Sequence, residues 1–439
     1  MRPSSPHGGA ETGNGSLAID PLHTGERKSL FQRMRVDTRP LRRRDYRNLW
    51  VGQAVSTIGG EIGTVAVPYQ VYTLTHSTAL VGLLGLASLV PLLVVPLVGG
   101  AIADAADRRS VLLRTETGMA ITAALFLGNS LLAHPRVWAL FVLQSLAVAI
   151  FSLGRPALSS LTPRLVPEEE IAAATALSGV YSSLAAVGGP AVGGILIAAA
   201  GVPWTFGIDL ATYAASFVVI WLLPKLPPVE DANRPSLRSI LDGFRFLKGR
   251  QPLIGIFAVD TSAMVFGMPT ALFPALALNH LHGDASTVGY LYAAPYAGAL
   301  AGSLFSGWTS HVRRMGLGVT VAACAWGGAI AAFGFTTSLW PALFFLAVAG
   351  GADFFSAVLR STMLMRATPP QLLGRLQGIE FAQVAGAPSL GDLEAGVLAS
   401  LTSLRFSVVS GGVLCIAGCV ATAFALPQFL KYDAREPQT

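Results

Sequence analysis

The stretch GGAIADAADRRSVLLRTE, Gly99–Glu116, places aspartates, arginines and a glutamate between two long apolar runs. The whole chain is 52% hydrophobic and only 12% charged, whereas soluble domains contain about 25% charged residues. A soluble fold cannot bury this much apolar surface, so the composition predicts that the bilayer is the solvent for most of the chain. The charged stretch then includes a tight turn between two membrane-spanning helices.

Apolar runs of membrane-spanning length recur along the chain. A spanning helix needs about 20 mostly apolar residues, and the sequence therefore predicts an all-α membrane protein with twelve transmembrane helices. Pro190 and Pro388 are the expected bend points within two of them. The predicted spans are roughly 48–72, 79–103, 110–132, 137–161, 170–199, 203–223, 253–278, 286–308, 314–335, 339–362, 372–402 and 406–430.

The positions of the basic residues predict the orientation of these spans. If the N-terminus lies in the cytoplasm, all of the 30 Lys and Arg residues except Arg136 and Arg405 fall on the cytoplasmic side. Cytoplasmic loops carry such an excess of Lys and Arg. We therefore expect a multi-pass protein of the cell (inner) membrane with both termini in the cytoplasm.

One long loop divides six predicted spans from six. Its apolar residues recur at helical spacing, which fits either an amphipathic helix on the inner membrane surface or an ordinary soluble linker helix. Two six-helix halves joined by a cytoplasmic loop are typical of secondary transporters whose site lies between the halves. The predicted parts are a disordered cytoplasmic tail 1–44, an N-terminal bundle 45–223, the loop 224–252, a C-terminal bundle 253–430 and a cytoplasmic tail 431–439.

The turn within the opening stretch resembles the loop 2–3 signature of the major facilitator superfamily, roughly G-x-L-A-D-R-x-G-R-R. By this resemblance, Asp104 faces a helix N-terminus across the halves, where a carboxylate is stabilised, and Arg108 anchors the turn. Such a contact would help to switch a transporter between two states; the alternative is that the charges only enforce topology. Ala105 and Asp107 depart from the signature. The matching residues are Gly100, Asp104, Arg108 and Arg109.

A second stretch, VGGPAVGGILIAAAG in the fifth span, resembles the antiporter signature G-x-x-x-G-P-x-x-G-G of the same superfamily. Ala185 stands where the first glycine would be. The resemblance implies export rather than uptake, whereas close helix packing by small residues is the alternative explanation. The matching residues are Gly189, Pro190, Gly193 and Gly194.

Three longer stretches, Val65–Leu83, Ile240–Leu253 and Leu373–Ala399, resemble the enterobactin-exporter subgroup of the superfamily. The resemblance implies two six-helix bundles that export a siderophore, of catecholate type, in exchange for protons. An alternative within the same fold is a multidrug or macrolide efflux pump that favours amphipathic cations. That alternative gains if an acidic side chain such as Glu61 lines the cavity.

Ionisable residues inside the predicted spans are functional candidates by default. Unpaired carboxylates are costly in a bilayer, so we expect at least one of them to bind a proton and to couple proton flow to transport. For each residue alone, a structural hydrogen bond is the alternative. Arg155, near the inner end of the fourth span, is expected to be the only basic residue that is even partly embedded. The candidates for proton coupling or substrate binding are Glu61, Asp260, Asp353, Glu380 and Asp209, with Asp392 and Glu394 as further embedded acids.

Polar and aromatic side chains within the spans are candidates for cargo recognition. Gln53 can donate and accept hydrogen bonds, and Tyr181 and Phe381 can stack on a flat molecule. Packing or lipid contact is the alternative for each of them.

The motifs of common enzymes are missing from the sequence. It contains no HExxH, no GxSxG and no Walker A loop, and its three cysteines form no CxxC pair. We therefore predict a transporter without enzymatic activity, metal or cofactor. Its partners would be a small-molecule substrate, protons and the lipid bilayer, with no nucleic acid, and it would act as a monomer.

Overall fold

Apolar helices of bilayer length dominate the structure, as the sequence predicts. The computed structural model describes residues 37–105, 107–224 and 245–433, with the backbone alone at 96–105 and at 310. Over these residues it contains helices and turns and no β-strand. The long helices are α1 Arg44–Thr64, α2 Ala66–Thr75, α3 Thr78–Ala105, α4 Arg108–Ser130, α5 Val137–Leu165, α6 Ile171–Ala200, α7 Val202–Trp221, α8 Gln251–Phe266, α9 Ala285–Leu304, α10 Met315–Phe333, α11 Leu339–Ala367, α12 Pro370–Leu401 and α13 Leu404–Ala425.

Nine helical segments in the described part of the chain are long and apolar enough to cross a membrane. The three remaining spans, formed by α1 with α2, by α9 and by α12, are more polar but occupy the predicted positions. Short helical turns connect or extend the spans. They are Arg39–Arg42, Glu168–Glu170, Thr270–Leu272, Phe273–Ala275, Leu276–His280, Ser306–His311 and Pro427–Leu430.

Both halves begin with an interrupted helix. The first span breaks at Val65, between α1 and α2, and α8 ends at Phe266 before a series of short turns. The break after α8 is fixed by Trp326 on α10, whose indole nitrogen donates to the carbonyl of Gly267 over 2.9 Å. In contrast, α6 and α12 continue through Pro190 and Pro388 without interruption. The expected bend points therefore do not break these helices.

The helix contacts of the first half recur in the second. In the first half α1 packs on α6 and α7, α5 packs on α3 and α4, and α4 packs on α7. The corresponding pairs in the second half are α8 with α12 and α13, α11 with α9 and α10, and α10 with α13. The two sets match span for span, which is the arrangement expected of an internal repeat.

Two helix pairs join the halves, α3 with α12 and α6 with α9. Consecutive spans are antiparallel, so helix ends fall at two levels: the near end, where α1 begins at Arg44, and the far end, where α2 ends at Thr75. The pair α6–α9 approaches closely at the far end, because a Cβ atom on Gly194 would lie 2.6 Å from the carbonyl oxygen of Ala285. In the pair α3–α12, the Thr78 hydroxyl donates to the carbonyl of Gly396 over 2.9 Å.

Several predicted features lie wholly or partly outside the described residues. The tail is described only from residue 37, and the loop 224–252 only at 224 and from 245, where 245–247 form a helical turn. The amphipathic helix predicted for that loop is therefore outside the described residues, apart from this turn. At Gly100 and Asp104 only the backbone is described, so the predicted gating carboxylate lies outside the described side chains as well.

Candidate functional site

A cavity of about 1030 Å³ lies toward the near end of the bundle. The N-terminal part of α1, the C-terminal half of α5 and the N-terminal half of α6 form most of its wall, and α12 contributes from the other half of the molecule. Its size falls at the upper limit of small-molecule sites. The lining includes Trp50, Gln53, Phe151, Ser152, Arg155, Ser159, Thr162, Thr175, Ser178, Tyr181, Ser182 and Phe381.

The cavity wall combines aromatic rings, hydroxyl groups and one cation. Arg155 is the only charged residue among the described residues that line it, and its guanidinium lies 5.6 Å from the centre of the Phe151 ring. Trp50 packs edge-on against Tyr181 with ring centres 5.8 Å apart, and its indole nitrogen donates to the carbonyl of Leu177. Such a surface can stack on flat rings and donate hydrogen bonds to phenolic or anionic oxygens.

Glu61 is half-buried and lies against α6 rather than among the residues that line this cavity. A Cβ atom on Gly189 would lie 2.4 Å from the Cβ of Glu61, and one on Gly193 would lie 2.4 Å from the carbonyl oxygen of Ile62. The predicted antiporter-like motif thus brings α6 against α1 at Glu61. Its last residue, Gly194, faces α9 in the other half.

A second acidic group of the first half lies deeper in the bundle. Asp209 on α7 faces α1, because a Cβ atom on Gly63 would lie 3.5 Å from its Oδ2. Glu116 on α4 is 7% exposed, and its Oε1 accepts a hydrogen bond from the Gln53 side chain over 3.1 Å. Glu116 lies within the predicted span 110–132, but it was not among the predicted candidates. The signal that could have identified it is its place eight residues inside α4, on a buried face.

The acids of the second half surround an arginine. The guanidinium of Arg360 on α11 pairs with Asp260 on α8, and its Nη2 lies 3.9 Å from Oδ1 of Asp353. Glu380 on α12 accepts a hydrogen bond from the hydroxyl of Ser361 over 3.2 Å. The structure therefore brings together three of the predicted candidates.

The prediction that Arg155 is the only embedded base is wrong. Arg360 is 7% exposed and Arg108 is 6% exposed. The count of basic residues assigned Arg360 to the cytoplasmic side, near the end of the predicted span 339–362, but α11 continues to Ala367 and carries it inside the bundle. A buried guanidinium beside two carboxylates supplies the countercharge that these acids would otherwise lack.

Asp392 on α12 contacts both the break after α8 in its own half and α3 in the other half. Its carboxylate accepts hydrogen bonds from the hydroxyl of Thr270 and from the backbone nitrogen of Ala271, the latter over 2.8 Å. Its backbone also packs on α3, because a Cβ atom on Gly82 would lie 2.3 Å from its carbonyl oxygen. Asp392 thus lies at the far-end contact between the halves.

The turn between α3 and α4 is held by its own charges. Asp107 caps α4, since its carboxylate accepts a hydrogen bond from the backbone nitrogen of Arg109 over 3.0 Å. The guanidinium of Arg109 in turn donates to the carbonyls of Ile220 and Trp221 at the end of α7. A cation is favourable at a helix C-terminus, so Arg109 ties the start of α4 to the end of α7. Asp107 supplies a cap where the family signature has glycine.

A family model for transmembrane secretion effectors matches residues 37–438. The chain belongs to this family of the major facilitator superfamily. It is 33% identical to an enterobactin exporter, EntS, of Citrobacter koseri over 375 residues, which cover 85% of this chain and 90% of that protein. It is 32% identical to the EntS protein of Shigella boydii serotype 4 over 395 residues, which cover 90% and 94%. As a secretion effector related to named exporters, the chain is a transporter and not an enzyme.

Solved structures of transporters share the fold. The nucleoside transporter NupG, as a D323A mutant, has a TM-score of 0.71 at 14% identity and covers 88% of this chain and 100% of NupG. A bacterial homologue of the lysosomal transporter Spinster has a TM-score of 0.68 at 18% identity and covers 90% and 99%. The predicted major facilitator fold is thereby confirmed for this secretion effector.

Proposed function

We propose that this secretion effector exports a siderophore, of catecholate type, out of the cytoplasm by alternating access and in exchange for protons. The observation that carries the proposal is the asymmetry of the bundle. A cavity lies toward the near end, whereas α3 with α12 and α6 with α9 bring the halves together at the far end. This is one of the two arrangements that a rocking carrier needs.

The chemistry of the cavity supports a catecholate. Catechols combine a flat ring with adjacent oxygens, and the wall offers Trp50, Tyr181 and several hydroxyls beside Arg155. The relatives named enterobactin exporters agree with this cargo class. The alternative, an amphipathic cation, would be better served by a carboxylate in the wall, and among the described lining residues none is acidic.

The remaining parts of the proposal concern orientation and gating. We place the protein as a monomer in the inner membrane of the cell, with the near end and both termini in the cytoplasm. The basic residues concentrate at the near end, which is the pattern of a cytoplasmic side. The bundles 45–223 and 253–430 would move as the two rocking halves. In the α3–α4 turn, Asp104 would serve as the gating carboxylate, and the buried Arg108 would anchor it.

Reconstituted vesicles test the cargo and its binding residue together. We expect the wild-type protein to move enterobactin against its concentration gradient when a pH gradient is imposed, and to leave ethidium-like cations behind. Arg155→Gln should weaken enterobactin binding roughly 10- to 100-fold, because hydrogen bonds to a charged group contribute about 1.5–3 kcal/mol. Arg114→Gln is the matched control, since Arg114 is an exposed arginine outside the cavity.

Two outcomes would contradict the proposal. Wild-type vesicles that move no enterobactin under either direction of the pH gradient would remove the cargo. Equal affinities for the Arg155 and Arg114 variants would remove the cavity as its binding site.

A further inference from the structure

The two halves of the transporter compensate the negative charge of their buried acids in different ways. In the second half, Arg360 lies beside Asp260 and Asp353. In the first half, no ion pair reaches Glu61, Glu116 or Asp209 among the described residues. A charged carboxylate inside a membrane protein needs a partner or a proton. The first half therefore needs protons where the second half has an arginine.

Of these three acids, Glu116 is the one whose carboxylate contacts a residue of the cavity wall. Its Oε1 accepts from Gln53, and the Gln53 side chain is itself part of the cavity lining. Gln53 is thus a single polar group between the cavity and the carboxylate. Within the described chain, Oε2 of Glu116 is buried and has no hydrogen-bond partner.

Ser216 on α7 is the neighbour that suits this second oxygen. It is fully buried beside Glu116, and its hydroxyl also has no hydrogen-bond partner among the described residues. A hydroxyl can donate to a carboxylate or accept from a carboxylic acid. Ser216 can therefore serve Glu116 in both protonation states.

We propose that Glu116 is the proton-binding carboxyl of the first half and exchanges its proton with the cavity beside Gln53. Oε2 binds one proton and becomes a neutral acid, whose O–H donates to the Ser216 hydroxyl. Release of that proton toward the cavity restores the carboxylate, which then accepts from Gln53 and Ser216. This inference rests on the proposed proton-coupled export and assigns one residue within it.

The charged and titratable groups around Glu116 favour this assignment. Helix α7 contributes two groups within electrostatic range, Asp209 and Tyr213, and α3 contributes no titratable side chain over 78–95. The acids nearby repel a second negative charge, so they favour one bound proton. The remaining titratable groups on the helices around it are Arg44, Asp45, Tyr46, Arg47 and Glu61 on α1, Arg155 and Arg164 on α5, and Arg108, Arg109 and Arg114 on α4 itself. Of these, Tyr46 and Arg155 line the cavity.

Proton release on cargo binding tests the assignment. Purified protein in weakly buffered detergent solution receives enterobactin while a pH indicator records released protons. We expect wild-type protein to release protons, Glu116→Gln to bind enterobactin without releasing them, and Glu169→Gln to behave as wild type. Glu169 is the matched control because it is an exposed glutamate before α6. In vesicles, Glu116→Gln should still exchange enterobactin for enterobactin, but lose uptake driven by a pH gradient.

The outcomes separate this assignment from the proposed function. Equal release by wild type and Glu116→Gln would overturn the role of Glu116 and leave proton-coupled export intact. No release by the wild type would overturn both. If Glu116→Gln does not fold, Glu116→Asp carries the test, because it keeps the carboxyl but withdraws it from Gln53. Its release should then follow a shifted pH dependence, and an unchanged pH dependence would overturn the assignment.

Discussion

At the scale of single residues, the position of Arg360 is set by carboxylates from two helices. Asp260 on α8 pairs with its guanidinium, and Asp353 lies two turns earlier on the same face of α11 itself. The pair ties α11 to α8, which links the tenth span to the seventh. In a buried ion pair the attraction offsets the loss of hydration only while both partners remain.

Removing one partner should therefore cost more than removing both. We expect Arg360→Gln to lower the free energy of unfolding by about 3–5 kcal/mol, because it leaves Asp260 charged and unpaired. The double variant Arg360→Gln with Asp260→Asn should recover most of that loss, since two neutral amides can hydrogen-bond to each other. Reversible unfolding in mixed micelles measures all of the variants. Additive losses in the double variant would mean that the two residues do not act as a pair.

Arg360 and Glu116, which sequence reasoning left out of the candidates, share a physical cause. Both lie inside predicted spans, 339–362 and 110–132, but toward the cytoplasmic ends, where charges commonly mark topology. Here α4 begins at Arg108 and α11 extends to Ala367, so both side chains lie inside helices and away from the helix ends. Their burial depends on which face meets a neighbouring helix, and one sequence does not contain that information. Glu61, Asp209 and Asp260 were predictable because apolar residues flank them on both sides.

At the scale of helices, the far-end contact between the halves depends on glycine. Gly194 on α6 and Gly289 on α9 meet so closely that a Cβ atom on Gly289 would lie 2.3 Å from the carbonyl oxygen of Pro190. A backbone atom cannot move aside as a side chain can, so a larger residue must separate the helices. The glycine pattern was visible in the sequence, whereas its partner helix was not.

A methyl group in this contact should shift the carrier away from the far-end-closed state. We expect Gly194→Ala to lengthen the distance across the far end by a few ångströms, because its Cβ would lie 2.6 Å from the carbonyl oxygen of Ala285. Spin labels at Ala199 and Thr337, exposed positions in different halves, report that distance. Gly188→Ala on the same helix is the control, since a Cβ there meets nothing within 4 Å. Indistinguishable distance distributions for the two variants would contradict this role of the contact.

The positions of the helix breaks could not be predicted from the sequence. Bends were predicted at Pro190 and Pro388, and α6 and α12 continue through both prolines without a break. Neighbouring helices and local adjustments can satisfy the backbone group that a proline frees within a membrane. The breaks occur instead at Val65 and after Phe266, at matching places in the two halves. There the tertiary contacts, such as that of Trp326 with Gly267, decide the backbone path.

At the scale of the whole molecule, each half contains the same set of helix contacts, and the contacts between the halves follow the same repeat. The second span meets the eleventh and the fifth meets the eighth, so each half gives the other the same two surfaces. Two rigid halves joined by such paired contacts can rock about them, which is the motion that alternating access requires. Spans, turn charges and the repeat were all predictable from the sequence, because each depends on local composition. Whether the halves meet at the near end or at the far end was not predictable in this way, because it depends on the conformational state of the carrier.

Closing the far end permanently should stop transport without blocking the cavity. Tyr72 on α2 and Asn279 after α8 are suitable for this test, because the Asn279 amide donates to the Tyr72 hydroxyl across the halves over 2.5 Å. The three native cysteines are first replaced by serine or alanine. In that background the double variant Tyr72→Cys with Asn279→Cys should be cross-linked by a short reagent that forms a reducible disulfide with each of the two thiols. The linked protein should bind enterobactin from the near end and transport none, and reductive cleavage of the link should restore transport. Each single-cysteine variant, treated in the same way, is the control and should keep its rate. A linked protein that transports as fast as the unlinked one would show that the halves need not separate at the far end, and alternating access about the α3–α12 and α6–α9 contacts would then be wrong.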